Sequence, residues 1–123
     1  MKDCIFCRII KGEIPADFVY QDKDIVAFKD VNPLTPIHLQ IIPRKHLEGI
    51  HQMKKGDVSL LGRMHLLAKK LAKERRLSGY KLYLNCGKMQ EVKHLHLHLL
   101  GGFKGDAEFC RLAMKKVKGG GVS

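Results

Sequence analysis

The chain has 123 residues, 45% of them hydrophobic, enough for one domain with its own core and too few for several. No stretch approaches the roughly 18 apolar residues of a membrane span, and the start, Met1-Lys2-Asp3-Cys4-Ile5-Phe6-Cys7, lacks the apolar run of a signal peptide, so a cytoplasmic protein with no membrane partner is expected. Twenty-three basic residues against 12 acidic ones give a formal charge of +11, which attracts polyanions and free nucleotides alike, but the basic residues are scattered and no basic-aromatic interleaving marks a platform for specific nucleic-acid binding.

In chain order, Phe6, Ile9 and Ile10 fall at helical spacing and Gly12 follows as a stop, which predicts a short helix over residues 4–11. Phe18-Val19-Tyr20 and Ile25-Val26-Ala27-Phe28 are β-rich runs joined by the turn Gln21-Asp22-Lys23-Asp24. Two prolines make residues 30–36 a loop, and Ile37–Ile42 is a third strand ended by Pro43. Residues 57–77 predict the one long helix: Asp57 is its expected N-cap, Leu60, Leu61, Met64, Leu67, Ala68, Leu71 and Ala72 form one apolar stripe, and Ser78-Gly79 stops it. Residues 80–85 and 92–100 read as the fourth and fifth strands around a loop that begins at Gly87. Beyond a domain of residues 1–105 lies a C-terminal tail, 106–123, in which Phe109, Ala113 and Val117 allow a short helix before Gly119-Gly120-Gly121 frays. Antiparallel strands with a long and a short helix make an α+β fold of five strands.

Four cysteines stand at 4, 7, 86 and 110, of which only Cys4 and Cys7 form a recognisable pair. In a cytosolic protein C-x-x-C points to metal binding or redox chemistry before a structural disulfide, but zinc needs two further ligands. The strongest pattern is His94-Leu95-His96-Leu97-His98-Leu99-Leu100-Gly101-Gly102. On a strand alternate side chains leave opposite faces, so the leucines enter a core while the three imidazoles share a surface at roughly 7 Å intervals, within reach of one small ligand. Three histidines at strict alternation admit a metal site, or nucleophilic chemistry by a neutral imidazole, more readily than a merely solvated face.

This stretch resembles the signature of the histidine triad (HIT) family of nucleotide hydrolases and transferases. Ile5–Pro15, Val26–Pro33 and His38–His46 resemble other blocks of that family, so the likeness spans about residues 3–102, closest to its small dimeric phosphoramidases. The resemblance implies a HIT-like fold, with a homodimer extending the sheet to ten strands. It implies hydrolysis of purine nucleoside 5′-phosphoramidates to a nucleoside monophosphate and an amine, with dinucleoside polyphosphate cleavage or non-catalytic nucleotide or zinc binding as alternatives. His96 would be the nucleophile, forming a nucleotidyl-histidine intermediate, with His98 donating to the phosphoryl oxygens and His38 supporting it. Phe6, Ile9 and Phe28 would enclose the purine, Asp30 the ribose hydroxyls, and Asn85, Gln90 and His98 the phosphate side. From residue type alone, core packing explains the three apolar residues equally well, and turn capping explains Asp30. The resemblance also implies a structural zinc held by Cys4, Cys7, His46 and His94; the plain alternative is two buried thiols and two solvent-facing histidines. His51 and His65 are expected on the surface. Met89-Gln90-Glu91 departs from the family's Gly-Gln-Ser block, which replaces a hydroxyl with a carboxylate, and the family's Trp- and Pro-rich ending is missing.

Overall fold

A computed structural model describes residues 4–119, with side chains as far as 115. Cys4 opens helix α1 (Ile5–Ile10) with its sulfur, which accepts the Cys7 N–H at 3.4 Å, and Gly12 closes it at φ +80°. Strands β1 (Phe18–Gln21), β2 (Ile25–Lys29), β3 (Ile37–Pro43), β4 (Lys81–Tyr83) and β5 (Leu97–Gly101) form one antiparallel sheet in the order β1-β2-β3-β5-β4. The long helix α2 (Val58–Glu74) packs on β3 and β5. The tail forms a third helix, α3 (Asp106–Gly119), tied to β4 by Lys81 Nζ–Asp106 Oδ1 at 2.7 Å; the stretch expected to fray lies largely outside the described residues, as does the Val117 side chain. No helix among the described residues is long and apolar enough to cross a membrane.

The sheet separates two apolar clusters, as period-2 alternation requires. Ile25, Ala27, Leu39, Ile41, Leu95, Leu97 and Leu99 pack with Leu60, Met64, Leu67, Ala68, Leu71 and Ala72 of α2. Val26, Phe28 and Ile42 face Phe6 and Ile9 of α1. Each fully buried leucine contributes about 1.5–3 kcal/mol, which fixes the register of β5 and with it the facing of His96 and His98.

The ends of the elements depart from the sequence reading for identifiable reasons. β5 begins at Leu97 rather than residue 92, because Leu95 N–H leaves the ladder for Leu47 O at 2.7 Å. β4 is three residues rather than six. Asp57 precedes α2 but does not cap it: its carboxylate takes Lys54 N–H and Lys45 Nζ, each at 3.0 Å. Leu61 is only half-buried. Helix α2 stops three residues short of the predicted end, and Gly79 plays no part. Arg76 takes the left-handed conformation (φ 55°), with Leu77 N–H on Ala72 O and Arg76 N–H on Lys73 O, each at 3.0 Å, a Schellman closure. An L-residue pays roughly 1–2 kcal/mol there, part of which glycine recovers. Arg76→Gly is therefore expected to raise the unfolding free energy by about 0.5–1 kcal/mol, read from the midpoint of urea denaturation.

Candidate functional site

The histidines of the alternating stretch serve two different clusters. His94 lies before β5, wholly buried, and turns to the N-terminal helix. Its Nε2–H donates to Pro43 O at 2.9 Å, which leaves the Nδ1 lone pair 3.3 Å from Cys4 Sγ, 3.6 Å from Cys7 Sγ and 3.1 Å from His46 Nδ1. Cys7 Sγ lies 3.3 Å from His46 Nδ1, and all four ligand atoms lie within 4.8 Å of one another. A tetrahedral zinc ion sets its nitrogen and sulfur ligands roughly 3.3–3.8 Å apart, so the donor set fits. The Pro43 carbonyl supplies the outer partner that a metal-binding imidazole ordinarily has. Without an ion the set is awkward: burial and the neighbouring Cys4 push the Cys7 thiol up to about 11, and burial pushes His94 down to about 4. A cavity of about 380 Å³ bounded by Cys4, His46, Glu48 and Glu91 offers an entry path.

His96 and His98 sit 4.8 Å apart, ring centre to ring centre, and their hydrogen bonds set opposite tautomers. A carbonyl only accepts, so the 2.6 Å contact of His96 Nδ1 with His94 O puts the proton on Nδ1 and leaves Nε2 a bare lone pair. On the other ring the order reverses. Leu34 N–H donates to His38 Nδ1 at 2.9 Å, so His38 carries its proton on Nε2, which lies 2.8 Å from His98 Nδ1. His98 Nδ1 is then an acceptor, and its Nε2 bears the proton. Both Nε2 atoms are buried and make no hydrogen bond among the described residues. Burial holds both rings below the usual histidine range, His98 down to about 3, so both are neutral at pH 7.

That depression has a consequence for stability. Below the ordinary value of 6.5 the unfolded chain takes up protons that folded His98 refuses, so stability is full above about pH 6.5 and is lost on acidification toward 3. One such group accounts for at most about 1.4 kcal/mol per pH unit. The melting temperature is expected to fall steadily between pH 6.5 and 5, before the carboxylates of Asp22 and Asp57, held below their ordinary range, begin to titrate. A melting temperature flat over that interval would contradict the assignment.

Phe6, Ile9, Phe28 and Asp30 come together around a separate cavity of about 360 Å³, closed by Ile14, Pro15, Val92 and the exposed Glu91. Phe6 and Phe28 meet edge-on at 5.6 Å, and all three apolar residues are buried, so they wall the cavity and fill a core at once. Asp30 does cap a turn, with Oδ1 taking Asn32 N–H at 2.8 Å, while Oδ2 takes Gln40 Nε2 at 2.7 Å and lies 3.3 Å from His38 Nε2. Neither His96 nor His98 lines this cavity; Phe6, which does, has its ring centre 5.1 Å from that of His96. The site is closed, and a phosphate reaching Nε2 must displace the side chains that bury it.

Of two further residues expected here, one does not reach the cavity and the other falls beside His96. Gln90 is buried, but its amide donates to Glu48 O at 2.6 Å and Val92 O at 3.2 Å, so it braces the loop and does not line the cavity. Asn85 lies two residues past β4; the β4–β5 register carried on by two would set it level with His96. His51 and His65 are exposed. The sequence reading missed Gln40, which lines the cavity opposite His98 in the register, and Tyr83, stacked on His98 at 4.3 Å. Alternation signalled both: His38 and Gln40 share a face of β3, and Tyr83 alternates with Leu82 and Leu84.

The family model described as "Scavenger mRNA decapping enzyme C-term binding" matches residues 3–112. Protein HitA of Neisseria gonorrhoeae is 44% identical over 104 residues, covering 82% of this chain and 97% of that protein. Among solved structures, a HIT family hydrolase from Legionella pneumophila is 48% identical with a TM-score of 0.80, covering 83% of this chain and 95% of its own. A histidine triad protein from Clostridium difficile superposes with a TM-score of 0.82 at 39% identity, covering 86% and 96%. The chain belongs to the histidine triad family and has its fold.

Proposed function

We propose that this protein hydrolyses purine nucleoside 5′-phosphoramidates to a nucleoside monophosphate and an amine, with His96 as nucleophile. The observation that carries this reading is the His96 ring itself: its Nδ1–H is committed to a carbonyl, its buried Nε2 makes no hydrogen bond among the described residues, and its ring centre lies 4.8 Å from that of His98. His96 Nε2 attacks the α-phosphorus and the P–N bond to the amine breaks, the amine leaving with a proton from solvent. His98 Nε2–H meets the charge that builds on the phosphoryl oxygens. The nucleotidyl-imidazole keeps its Nδ1–H on His94 O and so carries a positive charge, which makes it a good leaving group when water attacks phosphorus. The purine would enter the cavity of Phe6, Ile9 and Phe28, with Asp30 toward the ribose.

The relative named as a hydrolase supports the reaction class. Glu91 supports an amine over a nucleotide as leaving group, because its carboxylate borders two adjoining cavities and repels a second phosphate chain. Zinc held by Cys4, Cys7, His46 and His94 would be structural, since four protein ligands leave no position for water. A homodimer through the open edge of β4 would complete a ten-stranded sheet, a reading that light scattering tests directly.

Mixing the protein with adenosine 5′-phosphoramidate, denaturing it within a second at alkaline pH and weighing it intact tests the chemistry. A nucleotidyl adduct that maps to His96 is the expected result. Steady turnover with no adduct, or an adduct on another residue, overturns the covalent assignment.

A further inference from the structure

His98 makes one hydrogen bond, its Nδ1 accepting from His38, while the Nε2–H at the far side of the ring has no partner among the described residues. The face of that ring is covered from the sheet's edge strand. Tyr83 pairs with His98 across β4 and β5, and the two rings lie parallel, 4.3 Å apart with 4° between their planes. Other aromatic contacts around the site are edge-on (Phe6–Phe28 at 68°, Phe6–His96 at 78°, Phe18–Phe28 at 80°) or tilted (His38–His98 at 51°). Tyr83–His98 is the one parallel stack among the described residues. His96 stands edge-on to the same ring at 66° and 4.8 Å, so Tyr83 stacks on a ring that is itself next to the proposed nucleophile.

We propose that Tyr83 is a positioning residue whose ring sets the plane of His98 and so aims its Nε2–H at the transferring phosphoryl group. This rests on the phosphoramidase reading above for its kinetic consequence, and on geometry alone for the orientation. The ring, not the hydroxyl, does the work, because stacking needs only the π face.

The test compares Tyr83→Phe with Tyr83→Val, a residue that keeps strand propensity without a ring. Two quantities are read: kcat and KM with adenosine 5′-phosphoramidate, and the ring-current shift of the His98 ring protons by NMR. Tyr83→Phe is expected to keep the upfield shift and a kcat within about 2-fold of the parent. Tyr83→Val is expected to lose the shift and to lower kcat about 10- to 100-fold with little change in KM, as a misaimed donor should. The proposal is overturned if Tyr83→Val retains kcat, if its effect falls on KM alone, or if Tyr83→Phe falls as far as Tyr83→Val. Should circular dichroism show Tyr83→Val unfolded, Tyr83→Leu takes its place under the same criteria. If the parent turns over no phosphoramidate, the functional reading fails, while the His98 shifts in the two variants still decide the orientation.

Discussion

His96→Ala is expected to lower phosphoramidate turnover by at least about 10⁴-fold while nucleoside monophosphate binding stays within a few-fold of the parent. The asymmetry follows from the site. His96 lines no wall of the cavity proposed for the nucleoside and reaches it only through its edge-on contact with Phe6, so its loss should disturb binding far less than chemistry. Among the described residues it supplies the one ring nitrogen beside His98 whose lone pair is fixed and uncommitted. His98→Ala, which removes a donor and not the bond-forming atom, is expected to cost less, about 10²- to 10³-fold. Steady-state kinetics and calorimetric titration with adenosine monophosphate measure the two quantities separately. A His96→Ala protein that turns over normally would end the nucleophile assignment, and one that no longer binds nucleotide would move His96 into recognition.

Metal removal is expected to produce the largest change in stability. An ion that binds only the folded chain contributes about 4 kcal/mol at a thousand times its dissociation constant, and a chelator takes this away. The melting temperature of protein purified with zinc should drop on chelation and recover on adding zinc back, and a Cys4→Ser, Cys7→Ser double variant should show neither response. The effect should reach the chemistry indirectly. Cys4 and Cys7 flank the start of α1, which also supplies Phe6 and Ile9, and the carbonyl of His94 holds the His96 tautomer. Amide exchange in residues 5–10 should therefore quicken on chelation, with turnover falling in proportion. Protein that carries no metal by elemental analysis, and melts identically with and without chelator, would remove zinc from the account.

Much of the fold was legible because burial dictates it. The stripe of α2 and the alternation of the strands put the same residues inside that the structure buries, Leu61 apart. What escaped was set by partners distant in sequence. Nothing near residue 92 announces that Leu95 will bond to Leu47, so β5 was drawn too long. A left-handed Arg76 is invisible to a rule that seeks glycine, and Asp57 has the type of an N-cap but answers to Lys45 and Lys54. At the site, alternation alone put His94, His96 and His98 on one shared surface, of which the structure keeps His96 and His98 together and turns His94 to the cysteines; the family resemblance added His46 and His94 to the cysteines, and the chain brings all four together. Gln90 shows the limit of such transfer: the residue type matches, but its Nε2 donates to backbone carbonyls and the side chain does not line the cavity.

The sealed nitrogen of His96 shapes the kinetics that any such reaction would follow. A reactive atom shut away from bulk water must be uncovered to receive its substrate, and uncovered again, or at least wetted, before the nucleotide can be discharged. Breathing of the short N-terminal helix would then act as the clock of the cycle, with rates that track solvent viscosity more closely than the basicity of the departing group.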